Sequence, residues 1–308
     1  MVDSSSVSLK WHVQELWSVL GPLLPGLSIE VMATVESTNS ALVDRARLSS
    51  MARPVRADAL AAGAHEARGP VHGRRSMDAQ PCLLVAELQT RGRGRLGRSW
   101  VSVAGASLTF SLSLPLAPVD WSGLSLAVGV ALAEALEPAR DDRAPRVLLK
   151  WPNDLWLRDP AAPLGARKLG GVLIETVPAG GRRMCVVGVG LNVLPLDLDE
   201  LSAGYACLAE LGGEVSAPAA LMRVAVPLVR ALREFEAGGF RGFAARFAAR
   251  DALGGRQVVT TMADCPTGIA EGVDERGALR VLGADGRRMI VSSGDVSVRP
   301  GPDRGGGT

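Results

Sequence analysis

The stretch CLLVAELQTRGRGRLGRSWVSVAGASLTFSLSL, residues 82–114, predicts two strands on either side of an arginine-rich loop. Residues 82–88 form a short apolar run that is typical of a buried strand, whereas residues 107–114 alternate polar and apolar side chains, as a half-buried strand does. The intervening residues 89–98, here called the arginine-glycine loop, contain four arginines and three glycines. Guanidinium groups bind phosphate and carboxylate oxygens two at a time, and glycine lets the backbone approach a ligand closely. We therefore expect this loop to close over an anion.

The arginine-glycine loop also contains the spacing G-x-G-x-x-G, from Gly92 to Gly97, which is known from dinucleotide-binding proteins. In those proteins the motif opens a helix, because the helix N-terminus holds the pyrophosphate. Here it leads into the alternating strand 107–114, so the sequence argues against a Rossmann site. A solvated loop or a weak RNA-binding patch stays open as an alternative for the loop considered alone.

Further strands and helices are predicted on both sides of this stretch. The predicted strands are residues 28–35, 146–150, 171–177 and 184–193, and the predicted helical regions are 121–136 and 217–250, with a break near 238–239. Residues 46–81 are rich in Ala, Arg, Gly and Pro without clear periodicity, which predicts a mobile surface insertion. We expect residues 1–254 to form one catalytic domain that carries this insertion.

After residue 254 the sequence changes to short apolar segments separated by turn signals such as Asp285-Gly286. The predicted strands are 257–261, 268–273, 279–282, 288–291 and 296–299. Five short strands in about 45 residues are typical of a small antiparallel barrel, predicted here over residues 255–300. Residues 301–308 are predicted to be a frayed tail.

The composition indicates an ordinary globular protein, because 47% of the 308 residues are hydrophobic, 21% are charged, and the net charge is +2. In residues 46–81 the arginines exceed the acids by three, which leaves the rest of the chain near −1 and predicts no DNA partner. The four cysteines are widely separated and the three histidines lie within the first 72 residues, so we predict no direct metal motif and no disulfide framework. Residues 1–10 lack a signal-peptide pattern, and the uncharged stretch 99–119 alternates like a strand, so we expect a cytoplasmic protein without a membrane partner.

Four further motifs place polar residues, lysines or glycines near strand ends: ESTN at 36–39, KWPND at 150–154, KLGG at 168–171 and GVGLN at 188–192. Each alone has an ordinary interpretation as a helix N-cap, a turn or a tightly packed glycine. Only three of the 34 basic residues are lysines, however, and two of them begin KWPND and KLGG. This usage suggests that a compact ammonium group, rather than any positive charge, is needed at both positions.

Taken in chain order, ESTN, the arginine-glycine loop, KWPND, KLGG and GVGLN resemble the motifs of the biotin protein ligases, and the resemblance extends over residues 28–300. It implies an α+β fold, in which a class II synthetase-like mixed β-sheet with helices packed on one side is followed by a small SH3-like β-barrel. About 35 residues precede Ser37, which predicts that the DNA-binding head and repressor activity of many bacterial members are absent. Leu96 departs from the family, where a basic residue is common at this position.

The resemblance implies a reaction in two halves. Biotin and ATP, with Mg²⁺, would give biotinyl-5'-AMP and pyrophosphate, and a lysine of the biotin carboxyl carrier protein of acetyl-CoA carboxylase or a related carboxylase would then take the biotin. A lipoate or octanoate protein ligase is the alternative enzyme. The sequence leaves monomer and homodimer equally open.

The resemblance also implies which residues form the site. The implied biotin-binding residues are Ser37, Thr38, Asn39, Gln89, Arg93, Gly94, Arg95, Lys168, Gly188 and Gly190. The implied ATP-binding residues are Arg93, Arg95, Trp100, Asn153, Lys168, Asn192 and Arg299. Lys168 and Arg93 are expected to stabilise the charge that develops in the first half-reaction, and Asp154 to orient or deprotonate the incoming lysine in the second.

Overall fold

The computed structural model describes residues 9–51, 80–179, 182–196, 204–213, 215–263, 266–292 and 298–300, without the side chains of residues 49–51, 299 and 300. Most of the predicted insertion (residues 46–81) and the predicted tail (residues 301–308) lie outside the described residues. Among the helices in the described part of the chain, none is both long enough and apolar enough to cross a membrane.

The described elements are these, in chain order. The helices are α1 (Val13–Leu20), α2 (Thr38–Met51), α3 (Leu124–Leu136), α4 (Ala217–Gly238) and α5 (Ala244–Ala248). The strands are β1 (Ser28–Val35), β2 (Cys82–Gln89), β3 (Gly92–Arg93), β4 (Ser99–Trp100), β5 (Ser107–Pro115), β6 (Val147–Lys150), β7 (Asp154–Arg158), β8 (Ala166–Ala179), β9 (Arg182–Asn192), β10 (Gln257–Thr260), β11 (Thr267–Val273), β12 (Leu279–Gly283), β13 (Arg288–Val291) and β14 (Val298–Pro300).

The central sheet has seven strands in the order β1-β2-β5-β9-β8-β7-β6. Only the β1–β2 pair is parallel among the described strands, so the predicted mixed sheet is confirmed. Helices α1, α3 and α4 share one hydrophobic core with one face of the sheet. Helix α2 packs on the opposite face, where Leu42 and Val43 lie against Leu84 and Val186. The expectation that helices cover one side only is therefore wrong. Strands β2 and β9 carry apolar side chains on both faces of the sheet, so each face needs a helix to cover it.

Strand β5 differs from its predicted half-buried state. Its polar side chains Ser107, Thr109, Ser111 and Ser113 are all buried, the most accessible at 4%. The polar face is buried because α2 covers it, and its hydroxyls find partners: Thr109 Oγ1 donates to Ala86 O at 2.9 Å. A buried hydroxyl with a hydrogen-bond partner avoids most of the desolvation penalty. The alternating polar residues of β5 therefore form a face that packs against the polar start of α2.

The C-terminal unit is a five-stranded antiparallel sheet in the order β13-β12-β11-β10-β14. Each predicted strand is confirmed to within two residues at either end. The turn between β11 and β12 sits on the catalytic domain, where Trp151 Nε1 donates to Gly277 O at 3.0 Å and Arg276 pairs with Asp120 at 2.8 Å. The small domain is thereby attached directly behind the KWPND motif.

Four elements of the first domain were not predicted: helix α1 and strands β3, β4 and β7. Helix α1 buries Leu16 and Leu20 on one stripe, and strand β7 begins at Asp154, inside KWPND. Strand β8 also starts at Ala166, five residues earlier than predicted, which places Lys168 within a strand rather than ahead of one. The lysine is consequently held by a hydrogen-bonded ladder.

Candidate active site

The first wall of the site is the start of α2 against the end of β2. Gln89 Oε1 accepts hydrogen bonds from the backbone N of Thr38 at 2.7 Å and from Thr38 Oγ1 at 3.1 Å. Ser37 Oγ accepts from Ser40 N at 3.4 Å. The ordinary interpretation of ESTN as a helix cap is therefore confirmed, and the same side chains line a pocket above the helix start.

Asn39 ties this wall to the sheet. Its Nδ2 donates to Leu173 O at 3.2 Å and to Glu175 Oε2 at 3.0 Å, and its Oδ1 accepts from Ser111 Oγ at 2.6 Å. A Cβ added to Gly188 would overlap the Asn39 amide. The space that the missing side chain of Gly188 leaves is thus occupied by Asn39, and the amide of Asn39 is already used within the protein.

The arginine-glycine loop folds into a hairpin of β3 and β4 over this wall. Leu96 with φ 55° and Gly97 with φ 72° form its tip, so the loop opens no helix and the argument against a Rossmann site holds. Arg93 forms a two-pronged contact with Glu175, at 3.1 and 3.3 Å, and donates to Ser40 Oγ at 3.1 Å. This contact holds the hairpin against the sheet at a position where a ligand carboxylate or phosphate would compete with Glu175.

Trp100, in β4, anchors the far end of the hairpin. A Cβ added to Gly190 would lie 2.5 Å from Trp100 Cε2, so the absence of a side chain at Gly190 makes room for the indole. Trp100 Nε1 is buried and has no hydrogen-bond partner among the described residues. The indole therefore anchors the far end of the hairpin, and the ATP contact that the resemblance implies for Trp100 stays a prediction.

KWPND and KLGG meet on neighbouring strands. KWPND is the hairpin turn from β6 to β7, as its ordinary interpretation held, and Asn153 Nδ2 donates to Val172 O at 2.7 Å. Lys168 Nζ lies 2.9 Å from Asp154 Oδ1 and 6.0 Å from the centre of the Trp100 ring. The side chains of Lys168 and Asp154 are 34% and 16% exposed, which leaves both reachable from the pocket.

Asn192 lies below the cavity in this structure. It is 7% exposed, and its Nδ2 donates to Lys168 O at 3.2 Å and Ala206 O at 2.9 Å, and the ATP contact that the resemblance implies for it stays a prediction. It lies outside the lining of the pocket and fixes backbone beneath Lys168. The side chain of Arg299 lies outside the described residues, although its neighbour Val298 lines the pocket.

Three contributors were missed by the sequence reasoning. Lys150 lines the pocket, is 8% exposed and places Nζ 5.6 Å from the Trp156 ring centre. The rare use of lysine singled it out, but no role was assigned. Glu175 holds Arg93, and Ser111 holds Asn39. The polar alternation of β5 pointed to Ser111, but no sequence signal pointed to Glu175.

Most of these residues surround one cavity of about 900 Å³, counted with the solvent-filled space at its mouth, whereas Asn192, Glu175 and Ser111 lie outside its lining. The predicted residues that line it are Ser37, Thr38, Asn39, Gln89, Arg93, Gly94, Arg95, Trp100, Asn153, Asp154, Lys168, Gly188 and Gly190. Among the described lining residues, the cations are Arg93, Arg95, Arg98, Lys150 and Lys168, and the one carboxylate is Asp154. With Glu175, which pairs with Arg93 from outside the lining, the wall still carries a surplus of three positive charges in a chain whose total is +2, which favours a polyanionic ligand.

Comparison with known proteins agrees with this geometry. Residues 76–192 match the biotin/lipoate A/B protein ligase family, and residues 254–299 match the biotin protein ligase C-terminal domain. The biotin–[acetyl-CoA-carboxylase] ligase of Mycobacterium tuberculosis is 34% identical over 230 residues, which cover 71% of this chain and 79% of that protein. The chain belongs to the biotin protein ligase family.

Two further relatives are consistent with this assignment. The bifunctional ligase/repressor BirA of Escherichia coli is 32% identical over 287 residues, covering 91% of this chain and 77% of that protein. The biotin protein ligase of Aquifex aeolicus, solved in complex with biotin and ATP, superposes with a TM-score of 0.64 at 25% identity and covers 89% of this chain and 99% of that one. The predicted class, an ATP-dependent biotin ligase, is confirmed, and the C-terminal match supports biotin over the lipoate alternative.

Proposed function

We propose that the pocket binds biotin and ATP side by side, forms biotinyl-5'-AMP, and transfers the biotinyl group to a lysine of the biotin carboxyl carrier protein of acetyl-CoA carboxylase or a related carboxylase. The observation that carries the proposal is the cationic wall described above, with Lys168 at its centre and 2.9 Å from Asp154.

The first half-reaction must bring a carboxylate against a triphosphate. Two unit charges 4 Å apart repel by about 4 kcal/mol at the effective dielectric constant of a protein surface, and ATP carries several such charges. Arg93, Arg95 and Lys168 offset this repulsion from the pocket wall. A carboxylate oxygen of biotin bonds to the α-phosphorus, the bond from that phosphorus to the bridging oxygen breaks, and pyrophosphate leaves. Lys168 Nζ donates to oxygens of the reacting carboxylate and α-phosphate, where negative charge accumulates.

Recognition of biotin falls to the wall at the start of α2. Ser37, Thr38 and Gln89 offer hydroxyl and amide groups for the ureido ring, and Asn39 holds that wall in place. Trp100 supplies a buried Nε1 donor that has no partner among the described residues, which a ligand acceptor would satisfy. The hairpin above excludes water, which would otherwise hydrolyse the adenylate.

Mg²⁺ fits this site as part of its nucleotide substrate. Among the described lining residues, the side-chain oxygens near Lys168 belong to Asp154 and Asn153, too few for a protein cage, whereas Mg²⁺ commonly keeps phosphate oxygens and water. Bound with ATP, Mg²⁺ supplies further neutralisation of phosphate charge.

In the second half-reaction the carrier lysine attacks the acyl carbon of the adenylate, and the bond from that carbon to the phosphate oxygen breaks to release AMP. A free lysine amine has a pKa near 10.4 and must first lose a proton. The carboxylate of Asp154, 16% exposed at the pocket wall, is placed to orient this amine or to accept its proton.

Intact-mass analysis of a carrier domain incubated with this protein and MgATP tests the proposal. With biotin we expect the gain of one biotinyl group per carrier, and with lipoate no gain. Lys168→Ala should abolish the gain, whereas Lys10→Ala, at an exposed lysine outside the pocket, should preserve it. No gain from the folded wild-type protein, or an equal gain with lipoate, would contradict the proposed function.

A further inference from the structure

We propose that Arg167 is a positioning residue for Lys168: with Asp159 and Glu210 it forms an ionic clasp that holds residues 204–207 against the backbone of Lys168. The proposal rests on the proposed function, in which Lys168 is the central cation. Arg167, Asp159 and Glu210 are called the Arg167 clasp below.

The backbone of Lys168 needs such support because its strand neighbour on one side ends. On the β7 side Lys168 pairs with Trp156, but on the other side β9 ends at Asn192, opposite the start of KLGG. Residues 204–206 take over there: Lys168 N donates to Gly204 O at 3.2 Å, and Ala206 N donates to Lys168 O at 2.9 Å. Residue 205 thus forms an isolated parallel bridge with Lys168. A single bridge, unlike a strand, has no neighbouring rungs to hold it.

Asn192 bonds to Lys168 O and Ala206 O from below, and the Arg167 clasp adds a second restraint from the side chains. The guanidinium of Arg167 lies 2.6 Å from Asp159 Oδ2 and 2.5 Å from Glu210 Oε2, and it also donates to the carbonyl of Tyr205. Glu210 in turn accepts from Cys207 N at 2.9 Å. One planar cation therefore joins the β7–β8 turn, the bridging segment and the 3₁₀ turn at 208–211, which a point charge could not do with the same geometry.

Steric fit shows that the segment is seated under the clasp. Gly204 has φ +65°, and a Cβ there would lie 2.8 Å from Arg167 Cγ, so the aliphatic stem of Arg167 covers this glycine directly. Burial raises the pKa of Tyr205 to about 12, so its phenol stays protonated and donates to Leu194 O at 2.7 Å. The segment is thus fastened at residue 205 through both its backbone and its side chain.

The charges of the clasp persist at neutral pH. Burial raises the pKa of Glu210, but hydrogen bonds from Arg167 and from the backbone of Cys207 outweigh it and leave that pKa below its ordinary value. Hydrogen bonding to Arg167 lowers the pKa of Asp159 as well. Because the backbone of Lys168 is held on both sides, its Nζ is confined to a small region near Asp154. Displacement of a catalytic group by about 1 Å can reduce a reaction rate on the order of a hundredfold.

A matched ion pair elsewhere in the molecule separates positioning from stability. Arg246 pairs with Glu134 at 2.6 Å with side-chain exposures of 35% and 34%, against 27% and 31% for Arg167 and Glu210. Arg246 joins α5 to α3, and neither partner lines the pocket. The two pairs therefore have similar chemistry and similar burial, and differ in whether they reach Lys168.

The experiment compares Arg167→Gln with Arg246→Gln in the full chain. We expect similar losses of melting temperature, but a roughly 10- to 100-fold loss of kcat for pyrophosphate release in Arg167→Gln alone, with the KM for biotin within about twofold because the wall at Ser37 is untouched. Arg167→Lys should recover part of kcat. Unchanged kcat in Arg167→Gln, or an equal loss in Arg246→Gln, would overturn the proposal.

Two additional measurements keep the test decisive. If Arg167→Gln does not fold, Asp159→Asn removes one acceptor of the clasp, and kcat should fall about threefold or more; no fall counts against the clasp. Hydrogen–deuterium exchange of residues 166–171 should be faster in Arg167→Gln and unchanged in Arg246→Gln. This readout needs no turnover, so it tests the clasp even if the wild-type protein fails to biotinylate a carrier, and equal exchange in both variants would overturn it.

Discussion

Substitution of Gly190 by alanine tests how tightly the hairpin is seated on the pocket floor. The new Cβ would lie 2.5 Å from Trp100 Cε2, 2.7 Å from Cζ2 and 3.0 Å from Nε1, where ordinary contacts are near 3.5 Å. Strand β9 is bonded on both sides at this point, to Thr109 of β5 and to Gly171 of β8, so it cannot retreat. The indole must therefore move by about 1 Å, and the end of the arginine-glycine loop moves with it.

The size of the effect follows from overpacking. Forcing one methyl into a filled site typically costs about 1–3 kcal/mol. If that strain falls on the seated hairpin, the closed state of the pocket loses roughly a factor of 5 to 150, and the adenylation rate falls by the same factor. The assay is pyrophosphate release at saturating biotin and MgATP. Gly238→Ala is the control, since a Cβ there meets nothing within 4 Å.

A double variant decides whether Trp100 is the cause. In a Trp100→Ala background the clash partner is gone, so Gly190→Ala should add little further loss, and the two substitutions should show a coupling energy of the same sign and size as the clash. Equal losses from Gly190→Ala with and without the indole would refute the reasoning, as would full activity of the single variant.

Three other predictions concern charge and hydrogen bonding. Lys168→Ala should reduce adenylation by about a hundredfold or more while the melting temperature stays within a few degrees, because its side chain is one-third exposed; calorimetry and pyrophosphate release check both parts, with Lys10→Ala as control. The folded-state pKa of Glu210 lies below its unfolded value, so the unfolded state binds more protons. The stability from this group is therefore lost as pH falls below about 4.5. Urea titrations should show that the free energy of unfolding decreases less steeply with falling pH in Glu210→Gln than in the wild type. Ser111→Ala removes a buried hydroxyl bonded to Asn39. It should lower stability by about 1–3 kcal/mol and raise the KM for biotin, whereas Ser292→Ala, at an exposed position, should change neither.

Local patterns predicted most of the strands well. The turn signals after residue 254 gave five strands within two residues of their observed ends, because short hairpins are specified by neighbouring residues alone. The buried state of β5 could not be predicted in this way. Alternating serines indicate a solvent-facing side, and only the tertiary packing of α2 buries that side.

Prediction of the site was more complete for charges than for their partners. The lysines, arginines and glycines stood out as motifs, and the structure gathers them around one cavity. Their hydrogen-bond acceptors did not, since Glu175 and Glu210 lie in strand and turn sequences with no motif of their own. Asn192 was assigned to the nucleotide because the resemblance supplied residue types without depth, and its 7% exposure places it one layer below.

The two lysines that this arginine-rich chain retains in the pocket have different surroundings with one shared property. Lys150 is 8% exposed with Nζ over the Trp156 ring, and Lys168 lies between Asp154 and the Trp100 ring. In both cases the ammonium group lies over an aromatic ring, where a compact cation fits. The larger, planar guanidinium group of an arginine would have to lie parallel to the ring or displace it. The loop arginines have the opposite requirement, because Arg93 spans both oxygens of Glu175 with its fork. Lysine on the rigid strands and arginine on the hairpin thus follow from the shapes of their sites, which explains why two of the three lysines of the sequence line the pocket.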